Sequence, residues 1–156
     1  MNAHLVLALC GAMLVAANAG AAPAHVHGIA RLDVAIDGEA LQLSLESPLA
    51  NLVGFEHAPS NAQETQAVSA MVRRFSRPED LFAPSPAAAS VPHEEDGHAE
   101  LEARIAFRCE RPRDLKRLEA KIFGAFPGML QLDVQVVTPS RQSAAKLRAK
   151  SNAIAF

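Results

Sequence analysis

The sequence predicts an α+β fold, a two-layer sandwich with a mainly antiparallel sheet and helices on one of its faces. Several segments alternate apolar and polar residues, the period of strands that bury one face. Asp37-Gly38, between the first two of these segments, is a strong signal for a two-residue hairpin turn. Two further segments repeat apolar residues at helical spacing.

Four strands follow from the alternation. The first is predicted from about Val26 to Ile36, with apolar or small residues at its even positions. The second covers about residues 41–48 and ends at a proline. The third covers about 98–109 and has the clearest alternation, and the fourth runs from Leu130 up to Pro139. The tail, residues 140–156, is expected to return as another edge strand with its last apolar side chains packed.

Helices are predicted in two places. Asn61 followed three residues later by Glu64 is a capping-box signature, and the apolar stripe after it should end before Pro78. The second helix is predicted to begin at Pro112 and to end near residues 124–127. Between them, residues 82–98 are rich in proline, alanine and acidic residues, and we expect a mobile loop there.

The N-terminus predicts export. Leu5–Ala17 is an uncharged apolar run, within the roughly 7–15 residues of a signal peptide and short of the ~20 that span a bilayer. Small residues follow, so cleavage is expected after Ala19, Ala22 or Ala24. Residues 1–24 are thus interpreted as a signal peptide. Residues 25–156 are interpreted as a single periplasmic domain that does not span the membrane after processing.

Charge and motifs exclude several function classes. The net charge of −2 argues against a nucleic-acid partner, which needs a basic patch. The sequence has no His-Glu-x-x-His, Gly-x-Ser-x-Gly or phosphate-binding glycine loop, so we do not expect an enzyme. After processing, Cys109 stands alone. It cannot form a cysteine-rich zinc centre, and we expect it to be buried as a small apolar group.

Histidines and carboxylates point to a metal. His25 and His27 are two residues apart on the predicted first strand, and His98 and Glu100 repeat that step on the third. Such pairs project from one face of a strand. Imidazole nitrogen and carboxylate oxygen are donors that zinc takes at roughly 2.0–2.2 Å. Zinc(II) is the expected ion, with copper(II) and nickel(II) as alternatives.

Further candidate ligands lie in loops: Glu56, His57, His93 and Asp96. Each group also has an ordinary structural interpretation, as a solvated strand edge, a helix cap or a charged loop. Strand positions should contribute more than His93, because residues held in a strand lose less conformational entropy when a metal binds.

Three blocks of sequence carry a resemblance to a known family. They are residues 24–28 (Ala-His-Val-His-Gly), residues 47–59 (Ser-Pro-Leu-Ala-Asn-Leu-Val-Gly-Phe-Glu-His-Ala-Pro), and residues 123–128 leading into 132–139. The chain resembles the ZrgA-like, zinc-regulated periplasmic zinc-binding proteins. The resemblance implies a periplasmic protein of Gram-negative bacteria that binds zinc and assists a zinc ABC importer. It also implies a His-x-acid step before Phe107-Arg108-Cys109, which falls on His98-Ala99-Glu100.

The chain departs from the family pattern in two ways. Relatives usually carry a long His/Asp-rich loop, where this chain has only Val91 to His98 with two histidines. Relatives also tend to have a second, upstream cysteine that pairs with the one at Cys109, and the mature chain has none.

Two other functions remain open on the sequence. If cleavage follows Ala24, the new N-terminus His25-Val26-His27 could chelate copper(II) in a square plane, as expected of a periplasmic copper carrier. The domain could instead be an interaction module that binds a partner at a sheet edge, without a metal.

Overall fold

The structure is a computed structural model that describes residues 26–85, 89–91, 95–97 and 100–156. Within these ranges the chain forms ten strands, three α-helices and two short 3₁₀ turns. The strands are β1 (Ile29–Asp37), β2 (Ala40–Pro48), β3 (Phe82–Ser85), β4 (Ala89–Val91), β5 (Glu95–Gly97), β6 (Glu100–Arg108), β7 (Arg117–Ala120), β8 (Gln131–Val137), β9 (Gln142–Leu147) and β10 (Ala153–Ala155). The helices are α1 (Ala50–Val53), α2 (Ala62–Phe75) and α3 (Ile122–Ala125).

The strands form two sheets. The main sheet has the order β6-β2-β1-β8-β9, and β4 and β5 both pair with the outer edge of β6. All neighbours are antiparallel except β1 and β8, which are parallel. A smaller antiparallel sheet has the order β10-β7-β3. The prediction of an α+β fold with a mainly antiparallel sheet is therefore confirmed.

Alternation along the strands creates the core. In β1, Leu32 and Val34 are buried, whereas Arg31 and Asp33 on the opposite face are exposed. The register carries this pattern across the sheet, because Leu32 is opposite Leu45 and Val34 is opposite Leu43. One face of the main sheet is therefore apolar, as the sequence predicts.

Helix α2 contributes Met71 and Phe75 to that core. The ring of Phe75 stacks on that of Phe126 at a centroid distance of 5.6 Å. The guanidinium of Arg74 lies over the Phe126 ring and donates a hydrogen bond to the Ala125 carbonyl oxygen. These contacts join the end of α2 to the segment that follows α3.

The predicted second helix, from Pro112 to near residues 124–127, is wrong. Residues Pro112–Asp114 make one 3₁₀ turn, and the next residue, Leu115, is already extended with a ψ of 123°. Strand β7 follows, and only α3 within the predicted segment is helical. The same apolar residues also fit a period of two, with Leu118 and Ala120 buried on either side of Glu119. The segment forms a strand and not a helix because it pairs with β3 on one side and β10 on the other.

The prediction that irregular structure begins at Phe82 is also wrong. Residues 82–85 form β3, in which Phe82 and Pro84 are buried. The proline is tolerated because β3 is an edge strand, where one side of the backbone needs no ladder partner. Of the rest of the predicted loop, the described residues form β4 and β5 along β6. His93 and His98 lie outside the described residues, and mobility of this segment stays a prediction.

The tail and the cysteine follow the predictions. β9 is an edge strand of the main sheet, and Ile154 in β10 is buried, with Phe156 packed against the same core. Cys109 is buried and makes no disulfide. Burial raises the pKa of the Cys109 thiol, so the group stays neutral.

We expect the protein to fold without a metal ion, because this core is continuous and apolar across both sheets and α2. Circular dichroism of chelator-treated protein should show a cooperative thermal transition. If the chelated protein is unfolded, the metal is a structural component and the core is insufficient on its own.

Candidate metal site

Four strand ends meet at one end of the main sheet. β2 ends at Pro48, which lies opposite Glu100 at the start of β6. On the other side, β1 starts at Ile29 beside Gln131, the first residue of β8. We call this the Pro48 end of the sheet. The loop with Glu56 and His57 leaves β2 at this end, so the fold brings several sequence-predicted ligands to one region.

The buried side chain of Asn51 holds this end together. Its Oδ1 accepts a hydrogen bond from the Gly28 amide at 2.6 Å. Its Nδ2 donates to the Ile29 carbonyl oxygen at 3.0 Å and to the Ser47 hydroxyl at 3.2 Å. One side chain from α1 thus fastens the start of β1 to the end of β2.

Two glycines allow the close approach around Asn51. Gly28 has a φ of +83°, which favours glycine, and its carbonyl oxygen accepts hydrogen bonds from the amides of Leu130 and Gln131. A Cβ at Gly128 would lie 2.7 Å from the Asn51 carbonyl oxygen, which is too close for any other residue without a backbone shift. Asn51, Gly28 and Gly128 come from the three blocks that resemble the ZrgA-like family.

His27 and Glu56 meet at this end. The Nε2 of His27 lies 3.0 Å from the Oε1 of Glu56. Both side chains are open to solvent, at 70% and 40% exposure. The sequence prediction that placed His27 on a strand is wrong, because β1 starts at Ile29 and His27 lies in the turn made by Gly28.

The His27–Glu56 pair fits two ligands of a zinc ion. In a tetrahedral site with bonds of roughly 2.0–2.2 Å, neighbouring donor atoms are about 3.3–3.6 Å apart. The 3.0 Å between Nε2 and Oε1 is shorter than this, the separation of a hydrogen bond from Nε2 to the carboxylate, so a metal would have to replace that proton and move the two atoms apart by about 0.3–0.6 Å. The pair supplies one nitrogen and one oxygen donor, both of types that zinc takes.

His57 is oriented by three neighbours. Its ring stacks on that of Phe55 at a centroid distance of 5.1 Å. Its Nδ1 lies 2.9 Å from the Ala58 carbonyl oxygen and 3.8 Å from the Oε2 of Glu64. The ring is therefore held in one plane, with one nitrogen directed at two oxygen atoms.

Glu64 is itself fixed by the start of α2. Its amide donates to the Asn61 Oδ1 at 2.9 Å, and its Oε2 accepts from the amide and hydroxyl of Ser60 at 2.7 and 2.9 Å. The predicted helix start at Asn61 is thus confirmed, although the Glu64 carboxylate bonds Ser60, the residue before the cap, where a full capping box would bond the Asn61 amide. The hydrogen bonds from Ser60 are the main cause that lowers the pKa of Glu64, and the nearby His57 lowers it further.

Of the other predicted ligands, the structure describes two, Glu100 and Asp96. Glu100 begins β6 at the Pro48 end, and Asp96 lies in β5 opposite Glu102, further along the sheet. His25, His93 and His98 lie outside the described residues. Within the part of the chain that the structure describes, no three histidine, cysteine or acidic residues form a group that could hold a metal ion.

Sequence reasoning missed the residues that organise the site. Asn51 was visible only as part of an unusual sequence block, and Glu64 only as a helix cap. A buried asparagine flanked by apolar residues can be suspected from sequence. Its partners Gly28 and Ser47 are 23 and 4 residues away and can be found only from the fold.

Fold and site together define a small α+β domain that presents imidazole and carboxylate groups on a fixed loop at one end of its sheet. The chain belongs to the ZrgA family of zinc uptake proteins, since the family model matches residues 24–92 and 89–156. The family confirms the resemblance stated from sequence and supports a role in zinc uptake. A comparison with curated proteins gave no match. Among the described residues, no helix is long and apolar enough to cross a membrane.

We expect Asn51→Ala to lower the free energy of unfolding by about 2 kcal/mol, because it leaves the buried Gly28 amide without an acceptor. Urea unfolding measures this change. The matched control is Asn61→Ala, which removes an exposed helix cap and should lower the free energy of unfolding by about 1 kcal/mol. Equal losses in the two variants would contradict the role assigned to Asn51.

The lowered pKa of Glu64 also predicts a pH dependence. The folded state favours the ionised carboxylate, so Glu64 stabilises the fold above its ordinary pKa of 4.5 and loses that effect as the pH falls through the lower, folded value. The difference in unfolding free energy between wild type and Glu64→Gln should therefore shrink below pH 4.5. Denaturant unfolding at several pH values tests this, and a difference that stays constant to pH 3 would refute it.

Proposed function

We propose that this protein is an exported, non-catalytic zinc carrier of the periplasm that assists zinc uptake and passes zinc to an importer system. The observation that carries the proposal is the His27–Glu56 pair, which brings an exposed imidazole nitrogen and an exposed carboxylate oxygen together at one end of the sheet, both of donor types that zinc takes. Membership of a zinc uptake family supports zinc as the bound ion. The apolar N-terminal run supports export, and the resemblance to periplasmic zinc-binding proteins supports the importer as partner.

The proposed ligands lie at the Pro48 end of the main sheet. His27 and Glu56 form the central pair, and His57 is the next donor along the same loop. Glu100 starts β6 at this end, and β5 also ends here, because Gly97 pairs with Leu101. His25 and His98 complete the proposed set as sequence neighbours of His27 and Glu100. His93 and Asp96 are proposed to raise the local concentration of metal.

The exposure of these donors favours a cargo site over a structural one. Structural zinc sites are closed, with four protein ligands. His27 and His57 are instead 70% and 60% exposed, so a metal bound there stays accessible to a second protein. An accessible ion can be exchanged ligand by ligand, which is the chemistry that delivery to an importer requires.

Titration calorimetry of the processed, tag-free protein with zinc(II), copper(II) and nickel(II) tests the proposal. We expect one zinc site or more. His27→Ala, Glu56→Ala and His57→Ala should each weaken binding at least about tenfold, because each loses a donor atom. The matched control is Glu39→Gln. Glu39 is an exposed carboxylate in an ion pair with Arg108 at the opposite end of the sheet, and the variant should bind zinc like wild type.

Other outcomes would identify the alternatives. Wild type that binds no metal would leave a sheet-edge interaction module as the remaining interpretation. Tight copper binding that disappears when the first residue of a chain starting at His25 is blocked would indicate a copper carrier instead. Mass spectrometry of the exported protein identifies that first residue and tests the predicted signal peptide in the same sample.

A further inference from the structure

We propose that Glu64 is a positioning residue for metal binding by His57. Together with the Ala58 carbonyl group it keeps the proton of the neutral imidazole on Nδ1, so that His57 presents Nε2 to the metal. This inference rests on the proposed function, because it assigns the binding atom and the supporting groups of one of its ligands.

The proton position follows from the contact with Ala58. A carbonyl oxygen can only accept a hydrogen bond, so an Nδ1 at 2.9 Å from it must be the donor. A neutral imidazole that carries its proton on Nδ1 has its lone pair on Nε2. The local backbone therefore selects which nitrogen of His57 can bind a metal.

Glu64 reinforces this choice in two ways. Its Oε2 lies 3.8 Å from Nδ1, close enough for a negative charge to favour a protonated Nδ1. The same oxygen accepts hydrogen bonds from the amide and hydroxyl of Ser60, two residues after Ala58. By holding Ser60, Glu64 also restrains the segment that carries the Ala58 carbonyl. Histidine ligands in metal sites are commonly oriented by such carboxylate and carbonyl acceptors on the other nitrogen.

The ring itself is held ready for binding. Phe55 stacks on it with an interplanar angle of 26°, and Nδ1 is engaged, so rotation about the side chain is restricted. Among the described residues, the recorded contacts of the His57 side chain involve its ring face and Nδ1, which leaves Nε2 on a ring that is 60% exposed. Little ordering is needed when a metal binds there.

Glu64 also has a purely structural role at the start of α2, because its carboxylate accepts hydrogen bonds from the amide and hydroxyl of Ser60. That role alone would make Glu64 important for stability but not for the protonation of His57. Asn61 caps the same helix turn by accepting a hydrogen bond from the Glu64 amide, so Asn61→Ala weakens the helix start without removing the Glu64 carboxylate and is the control for loss of the cap.

The experiment compares wild type with Glu64→Ala, Glu64→Gln, Asn61→Ala and His57→Ala at pH 7.5. The long-range ¹⁵N spectrum of the imidazole groups reports which nitrogen of His57 carries the proton, and a chelator competition reports zinc affinity. We expect His57 to be protonated on Nδ1 in wild type and to shift towards the Nε2-protonated form in Glu64→Ala. Zinc affinity of Glu64→Ala should fall roughly tenfold.

The remaining variants sharpen the test. Glu64→Gln keeps an oxygen that can hold Ser60 and should recover part of the lost affinity. Asn61→Ala should lose stability but keep the wild-type tautomer and zinc affinity, as circular dichroism and the same two readouts will show. In zinc-loaded wild type, the resonance of Nε2 should shift more than that of Nδ1.

The inference is overturned if Glu64→Ala keeps the Nδ1-protonated form and binds zinc like wild type, or if zinc shifts Nδ1 instead of Nε2. In either case zinc binding by the wild type would leave the proposed function intact. If wild type binds no zinc at all, the proposed function fails, and the inference fails with it.

Discussion

The hydrogen bonds of one buried amide, that of Asn51, determine how the Pro48 end of the sheet is built. Asn51 is only 3% exposed, and its side chain accepts from the Gly28 amide while donating to Ile29 and Ser47. A buried amide that lost these partners would be costly, so the bonds restrict this region to one arrangement. His27 precedes Gly28, and Glu56 follows α1 by three residues, so the arrangement of Asn51 also decides where both side chains emerge.

Placing the donors beside a rigid centre has an energetic consequence. An exposed contact such as His27–Glu56, which is an ion pair only when the imidazole is protonated, contributes about 0–1 kcal/mol at most, so its replacement would cost the fold little. The backbone that carries the pair remains fixed through Asn51. A fixed scaffold and exposed, exchangeable donors are thus provided by different residues at this end of the sheet. The scaffold is held by buried hydrogen bonds, whereas the side chains of His27 and Glu56 are exposed.

Much of the fold could be predicted from sequence, because local patterns and tertiary pairing agree. The strands with strict alternation, β2 and β6, and the start of α2 at Asn61 are of this kind. Prediction failed where two periods fitted the same residues. Leu115, Leu118 and Ile122 suit a helix stripe, but Leu118 and Ala120 also suit a strand, and the neighbouring β3 and β10 decided the outcome. Sequence spacing does not contain that information.

The candidate site was harder to predict than the fold, since its contacts are between distant segments. The types of donor were evident from the histidines and acids, but their grouping was not. Period two placed His27 with His25 on a strand, whereas the positive φ of Gly28 breaks the strand and lets His27 contact Glu56. Glu64 was visible only as a helix cap, yet the same carboxylate faces Nδ1 of His57. A residue that stabilises a helix start can thus also orient a neighbouring imidazole, because both tasks need an acceptor at the same point. The Glu64 carboxylate therefore serves both the start of α2 and the orientation of the His57 ring.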